Sequence, residues 1–327
     1  MDVSIVISTY NRCGLLEGAL QALFSPTQAH SEFEVLVVDN NSSDQTRPLV
    51  QALAAQNPEK LKYLFEPKQG LSYGRNTGIA NARASIIAFT DDDVRVSRDW
   101  VYQIKTSFEA NPDIDFLGGK VVPRWSTAPP SWLTAAHWGP LALLDYGDEP
   151  FFVDTGKQLC LIGANFAFRR SAFERVGLFK TDFQRVRDGI GSLEDHEMLL
   201  RLWRTNSRGL YLPELVVTAE IEPERLQKRY HRRWHAGHGS FYASLYSDEI
   251  ERSKVGRILG VPAHLYRRAF KDALGWTLAS IRNRPDLAFA HEVQLHYFGG
   301  FFRRRWKDFF SRWTSSEPIP IRPRPRD

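Results

Sequence analysis

Over the first 120 residues, short apolar runs alternate with stretches whose apolar residues recur every three or four positions. VSIVIS (3–8), EVLVVD (34–39), LKYLF (61–65) and SIIAFT (85–90) are rich in β-branched residues, the pattern of short strands. CGLLEGALQALF (13–24) and RPLVQALAAQ (47–56) predict helices between them, the second starting near Ser42–Gln45, which has the spacing of a capping box. LSYGRNTGIANARA (71–84) predicts a third helix and RDWVYQIKTSFEA (98–110) a fourth, capped by Ser97. Strand and helix in alternation predict βαβ units, an α/β fold built on a parallel sheet.

From about residue 120 to 160 the period is lost. PRWSTAPPSWLTAAHWGPLALLDYGDEPFF carries prolines and three tryptophans, Trp125, Trp132 and Trp138, and such a segment in a compact domain is usually a lid or binding loop. CLIGANFAFRRSAFERVGLF (160–179) predicts a strand, a turn and a short helix; LEDHEMLLRLWRT (193–205) predicts a helix with Met198, Leu199, Leu202 and Trp203 on one face. Beyond 221 the chain is basic, aromatic and helical in pattern, and the Pro/Arg-rich end, 317–327, is expected to be disordered.

Composition changes this picture little. The chain is 43% hydrophobic and 25% charged over 327 residues, ordinary for a packed protein. Two cysteines, Cys13 and Cys160, make no disulfide framework and fit a reducing compartment. The N-terminus lacks the basic region of a signal peptide, and no run reaches the roughly 20 apolar residues of a spanning helix. A cytoplasmic protein is expected. Charge is more telling: the net +5 is concentrated in RLQKRYHRRWH (225–235), LYRRAFK (265–271), FFRRRWK (301–307) and the tail. A basic patch serves nucleic acid, a membrane surface or an anionic ligand; no zinc-finger spacing or RNA-binding aromatic signature supports the first.

In an open parallel sheet, ligands bind beyond the carboxyl ends of the strands. Here those ends read Thr9-Tyr10-Asn11-Arg12, Asp39-Asn40-Asn41 and Asp91-Asp92-Asp93. Three adjacent carboxylates need a cation or full solvation. Taken alone they fit a hard divalent ion bridging to phosphates, or a solvated loop capping the next helix. Asp39 offers an acceptor for a base imide or ribose hydroxyl, and Arg75 and Asn76 offer donors near the same edge. No G-x-G-x-x-G follows the first strand, so the group suits a nucleotide diphosphate with metal better than a dinucleotide.

VSIVISTYNR, VLVVDNNSSDQT, GLSYGRNTGIANARASIIAFTDDDV, GANFAFRR and LEDHEMLLRL together resemble the family-2 glycosyltransferases of the GT-A fold, with the motifs in the family's order from residue 3 to about 235. The resemblance implies a Rossmann-like, mixed but mostly parallel sheet flanked by helices, with a helical C-terminal extension. It divides the chain into a nucleotide-binding half (1–120), an acceptor-binding half (121–225) and the extension (226–316). It further implies a nucleotide-sugar donor, most often UDP-linked, a Mn²⁺ or Mg²⁺ ion and inversion at the anomeric carbon. Thr9, Tyr10 and Asp39 would hold the base, braced by Arg75, with Asn11 and Arg12 in the same nucleotide-binding loop. Asp91 and Asp92 would sit by ribose and phosphates and Asp93 on the metal. Asp195 would be the general base, Glu194 would contact sugar hydroxyls, and Asn165 would line the donor–acceptor junction. Trp125, Trp132 and Trp138, in the 125–155 loop where acceptor contacts are expected, would stack on sugar rings, unless each is a buried core tryptophan.

The family often completes its metal shell with a histidine after the YLPELVV stretch; here TAEIEPERL follows, and Glu220 would substitute, or else His231, His235 or His238, unless these histidines lie on a solvated helix face. Arg229, Arg232 and Arg233 are candidates to clamp the pyrophosphate. Two other classes compete: a nucleotidyltransferase with the same aspartates and Mg²⁺, and a non-catalytic nucleotide- or glycan-binding module. Last, YFGGFFRRRWKDFFSRW (297–313) places Phe298, Phe302, Trp306, Phe309 and Trp313 on one helical stripe with Arg303, Arg304, Lys307 and Arg312 largely opposite. That is the pattern of an interfacial helix, so peripheral contact with an anionic membrane and a lipid-linked or saccharide acceptor are expected, as in envelope glycan assembly. The alternative is a helix packed on the protein.

Overall fold

The structure is a computed structural model that describes residues 1–25, 32–184 and 190–314, the side chains of 312–314 excepted. The expected disordered tail, 317–327, and the Arg312 and Trp313 side chains lie outside the described residues. The chain divides into two compact units, Met1–Trp234 and His235 onward. The expected extension began at 226.

In the first unit the apolar runs become strands β1 (Val3–Thr9), β2 (Phe33–Asp39), β3 (Leu61–Phe65) and β4 (Ile86–Thr90). All seven residues of β2 and all five of β4 are buried, as unbroken apolar strands covered on both faces must be. Helices α1 (Cys13–Leu23), α2 (Thr46–Gln56) and α3 (Leu71–Asn81) connect them. Next come β5 (Val94–Val96), α4 (Trp100–Ala110), β6 (Phe116–Trp125), β7 (Phe151–Val153), β8 (Asn165–Arg169), α5 (Arg170–Val176), α6 (Glu194–Arg204) and β9 (Gly209–Ile221).

Among the described residues these nine strands form one sheet in the order β3-β2-β1-β4-β8-β6-β9-β5, with β7 also on β9. β3, β2, β1 and β4 run parallel; β8 is antiparallel to β4 and β6, and β6 is parallel to β9. Sequence order reverses at β1, which makes the carboxyl ends of β1 and β4 the switch point. The aspartate run is the turn leaving β4. It leads straight into β5, which pairs with β9 at the far edge, a strand absent from the periodicity.

Helix α3 lies close on β1 because Gly74 and Gly78 face it. A Cβ at either position would come within 2.1 Å of Ser8 Oγ or 2.3 Å of Val6 Cγ1. This approach delivers Arg75, one turn into α3, to the rim of the sheet. Two expected caps are corrected. No side-chain cap from Ser42 starts α2; Asp44 accepts from the Thr46 amide (3.0 Å) and hydroxyl (2.6 Å) instead. α4 begins at Trp100 without a side-chain cap, the Ser97 carbonyl taking the Trp100 amide at 3.2 Å.

The second unit contains most of α7 (Lys228–Leu245), α8 (Ser247–Arg252), a hairpin β10/β11 (Arg257–Ile258, Val261–Pro262), α9 (Ala263–Ile281) and α10 (Pro285–Thr314). Its core is Ala243, Val261, Phe298, Phe301 and Phe302, with Leu265, Tyr266 and Ala269 packed on it. The aromatic stripe expected on a membrane therefore begins as core. Phe298 and Phe302 are buried, and only further along α10 do Trp306 and Phe310 emerge.

Candidate active site

A cavity of about 500 Å³ opens at the switch point. Thr9, Tyr10 and Arg12 from the β1 end and Asp91, Asp92 and Asp93 from the β4 end form one wall; Glu222, Arg225, Tyr230 and Trp234 stand among the others. The counter-charges to the aspartates are arginines. Arg12 Nη1 donates to Asp92 Oδ1 (3.2 Å) and Asp93 Oδ2 (3.0 Å), and its Nη2 to Glu222 Oε2 (2.7 Å). Arg225 Nη1 reaches Asp93 Oδ2 at 3.3 Å, and the Thr9 hydroxyl donates to Asp92 Oδ2 at 2.7 Å. Burial pushes the Asp92 carboxyl up to about 6, against the pull of Arg12 and with a further push from Asp93. Arg12 and Arg225 thus supply counter-charge to Asp92 and Asp93 from the chain itself, beside the divalent ion or solvent expected there.

Arg75 is the second organising cation. It is 3% exposed and sits among the rings of Phe89, Phe166 and Phe179, 5.3–6.0 Å from their centroids. Its Nη1 donates to Asp195 Oδ1 at 2.6 Å and Glu194 Oε1 at 3.2 Å, while Nη2 stands 3.9 Å from Asp91 Oδ1. The Gly163 amide donates to the other Asp195 oxygen at 2.8 Å. Gly163 is needed for space, since a Cβ there would come 2.1 Å from the Arg75 guanidinium. Arg75 thus lies on the β4/β8 side of the rim. The expected brace against the base bound at Asp39 is not its place in this structure.

Glu194 and Asp195 open α6, where the helix dipole favours anions. Asp195 is the more open of the two, its side chain 19% exposed against 3% for Glu194. Glu194, expected on sugar hydroxyls, is buried behind Arg75. Burial pushes its carboxyl up to about 7, Asp195 pushes the same way and Arg75 pulls it back. A carboxyl raised from 4.5 in this way favours folding below about pH 4.5, and that contribution is lost as pH rises through about 7. The melting temperature of the parent should therefore fall relative to Glu194→Gln across this window. A difference between the two that stays constant with pH would refute the assignment.

The remaining expected site residues fall in three groups. Asp39 is buried at the end of β2, accepting from the Ser42 amide and the Tyr63 hydroxyl, both at 2.8 Å. Asn11, in the left-handed region at φ 52°, holds the Ser43 amide at 2.7 Å; it shapes the loop and does not line the cavity. Asn165 is corrected: it is fully buried, its amide donating to the Lys120 and Leu215 carbonyls (2.9 and 2.7 Å) and accepting from Trp100 Nε1 (2.8 Å). It ties strands together. Asn76 likewise exchanges hydrogen bonds with the Phe179 backbone.

Trp125, Trp132 and Trp138 pack against the main core, the alternative expected for all three, and line no part of the cavity. Glu220 is corrected as well. Ala219 of β9 faces the cavity, and the alternation of the strand turns Glu220 away, to Arg95 at 2.9 Å and Arg124 at 3.8 Å. His231 is buried, edge-on to Trp132 at 4.9 Å with Nε2 3.1 Å from the Arg225 carbonyl; burial lowers its pKa to about 4. It is a core histidine, and His235 and His238 belong to the second unit. Arg229, Arg232 and Arg233 do not line the cavity. Arg225, Glu222 and Trp234 do, and sequence reasoning passed over them while seeking a histidine. The signal available was EPERL itself, acid and base adjacent at the end of β9.

The donor set suits a hard divalent cation. The cavity wall offers carboxylate oxygens and, among the described residues, no imidazole or thiolate. No three such protein ligands already converge on one point among the described residues. A cation here would draw on Asp91 and Asp93 and complete its shell with phosphate oxygens, as Mg²⁺-type sites do.

The solved structures similar to this chain share its fold, the GT-A fold. The mannosyltransferase PcManGT of Pyrobaculum calidifontis, in complex with GDP-Man and Mn²⁺, aligns over 98% of this chain and 76% of its own, with TM-score 0.55 and 18% identity. TarS 1–349 of S. aureus in complex with UDP-GlcNAc aligns over 96% and 92%, with TM-score 0.56 and 17% identity. The chain belongs to glycosyl transferase family 2, whose model matches residues 4–177, more than half its length. Among relatives, the glucosyl-dolichyl phosphate glucuronosyltransferase of Haloferax volcanii is 26% identical over 64% of this chain and 66% of that protein. The GalNAc(5)-diNAcBac-PP-undecaprenol beta-1,3-glucosyltransferase of Campylobacter jejuni is 34% identical over 28% and 29%. The chain spans less than two thirds of the length of either relative.

Proposed function

We propose that the protein is an inverting transferase that moves a sugar from a nucleotide diphosphate, UDP-linked by preference, to a saccharide or lipid-linked acceptor, with Asp195 as general base and Mn²⁺ or Mg²⁺ as cofactor. One observation carries the reading: a single buried guanidinium, Arg75, spans from Asp91 on the acidic wall to Glu194 and Asp195 at the head of α6. The groups suited to a departing pyrophosphate and the group suited to an incoming hydroxyl are thereby held within the reach of one side chain. Thr9, Tyr10 and Asp39 are the proposed nucleotide contacts at the β1 and β2 ends. When bound, the cation supplies Lewis-acid stabilisation of charge on the leaving group. Arg12 and Arg225 hold the Asp92–Asp93 pair in place and offer further positive charge to phosphates. The names of the two relatives include a dolichyl phosphate and a PP-undecaprenol, which supports a lipid-linked acceptor.

The test is slow hydrolysis of a panel of UDP- and GDP-sugars, with and without Mn²⁺. A UDP-sugar consumed only with metal is expected; turnover of no nucleotide sugar overturns the reading. In the same assay Asp93→Asn should weaken metal-dependent UDP binding. Removing even an outer partner of a metal ligand costs about 10–100-fold in affinity, so losing the ligand should cost at least that. Unchanged Mn²⁺ dependence in Asp93→Asn would remove Asp93 from the metal site.

A further inference from the structure

In the second unit α9 packs one side, Leu265, Tyr266 and Ala269, on the core of that unit. Its other side is apolar and bare: Phe270 is 72% exposed, Leu274 51%, Leu278 42% and Ile281 76%. Their spacing of four, four and three residues makes one continuous stripe down the helix. Four cations accompany it. Arg267 and Lys271 stand on α9, and Arg282 and Arg284 follow at its end; all are exposed, and none pairs with a carboxylate among the described residues. The one acid of α9, Asp272, is engaged by His291 at 2.9 Å.

We propose that this face of α9 docks the protein on an anionic lipid bilayer, the stripe entering the headgroup boundary and the four cations meeting lipid phosphates. An exposed apolar stripe bordered by unneutralised positive charge is what such a surface attracts. No described helix is long and apolar enough to cross a membrane, so α9 lies on the surface. A second copy of the chain fits less well, because a two-fold contact through this face would bring the four cations against their own duplicates. The membrane contact expected on 297–313 moves accordingly, since Phe298, Phe301 and Phe302 of that segment are core. The inference does not depend on the donor or acceptor, and its vesicle-binding measurement uses neither.

The full-length protein would be sedimented with vesicles of phosphatidylcholine alone and of phosphatidylcholine with phosphatidylglycerol. At low salt, binding to the anionic vesicles should be at least about tenfold stronger, and should weaken as salt rises. Arg267→Glu with Lys271→Glu should abolish the anionic preference, and Phe270→Ser with Ile281→Ser should lower binding at least about tenfold. Melting temperature and nucleotide-sugar hydrolysis should be unchanged in both variants. Equal binding to the two vesicle types, or unaltered binding by either variant, overturns the proposal. So does a dimer in light scattering that Phe270→Ser with Ile281→Ser dissociates, because the occupant would then be a second copy.

Discussion

Replacing Asp195 by Asn is expected to lower the turnover number by about 10²–10⁴-fold, the usual worth of a positioned general base. The acceptor hydroxyl is a poor nucleophile until its proton has somewhere to go, and Asp195, though it does not line the cavity, is the less buried of the two carboxylates that Arg75 links to Asp91 on the acidic wall. The loss should fall on kcat and leave nucleotide affinity nearly intact, because proton removal matters only in the transition state. The geometry adds a complication. Both Asp195 oxygens accept, one from Arg75 and one from the Gly163 amide. An asparagine has one acceptor to offer, so its amide would face a donor, at a cost of about 1–3 kcal/mol in stability. The measurement is therefore paired: kcat with a defined acceptor, and UDP affinity with a melting curve on the same preparation. If UDP binding collapses in step with kcat, Asp195 positions the donor and another group takes the proton.

How far the sequence reveals this site depends on what kind of signal each part leaves. Strands β1, β2 and β4 were legible because a strand covered on both faces must be apolar throughout, and little else is. The ends of those strands were legible for the same reason, as the places where the apolar run stops. The partners of the aspartates were not. Arg12 lies 81 positions from Asp93 and Arg225 lies 132 positions from it, so only the fold brings the charges together. Asn165 sits in a motif that implies a ligand contact, yet its hydrogen-bonding capacity is taken by two carbonyls and an indole. The 297–313 stripe shows a different limit. A helical apolar period states that one face avoids water, and a core or a bilayer satisfies it equally. The packing of Phe298, Phe301 and Phe302 with Val261 and Ala243 decides for the core, and the same packing leaves α9 with its outer face uncovered.

Arg75→Met is expected to destabilise the first unit by about 3–5 kcal/mol, which for a domain of this size lowers the melting temperature by about 6–20 °C. Methionine fills much of the volume among Phe89, Phe166 and Phe179, so the cost is electrostatic more than steric. Glu194 and Asp195 would be left facing each other at the head of α6 with their shared cation gone, and Glu194 is buried. Breaking a buried pair by removing one partner is costly because the other charge remains. The double variant Arg75→Met with Glu194→Gln should recover part of the loss, since it removes the more buried of the two charges. Arg75→Lys separates stability from function. Lysine supplies a charge but not the planar fork that contacts Glu194 and Asp195 while standing beside Asp91. It should keep most of the melting temperature while turnover falls, because Asp195 loses its fixed direction. If Arg75→Met melts like the parent, the two carboxylates share a proton in the folded protein. Arg75 would then not be the cation that joins the acidic wall to the base.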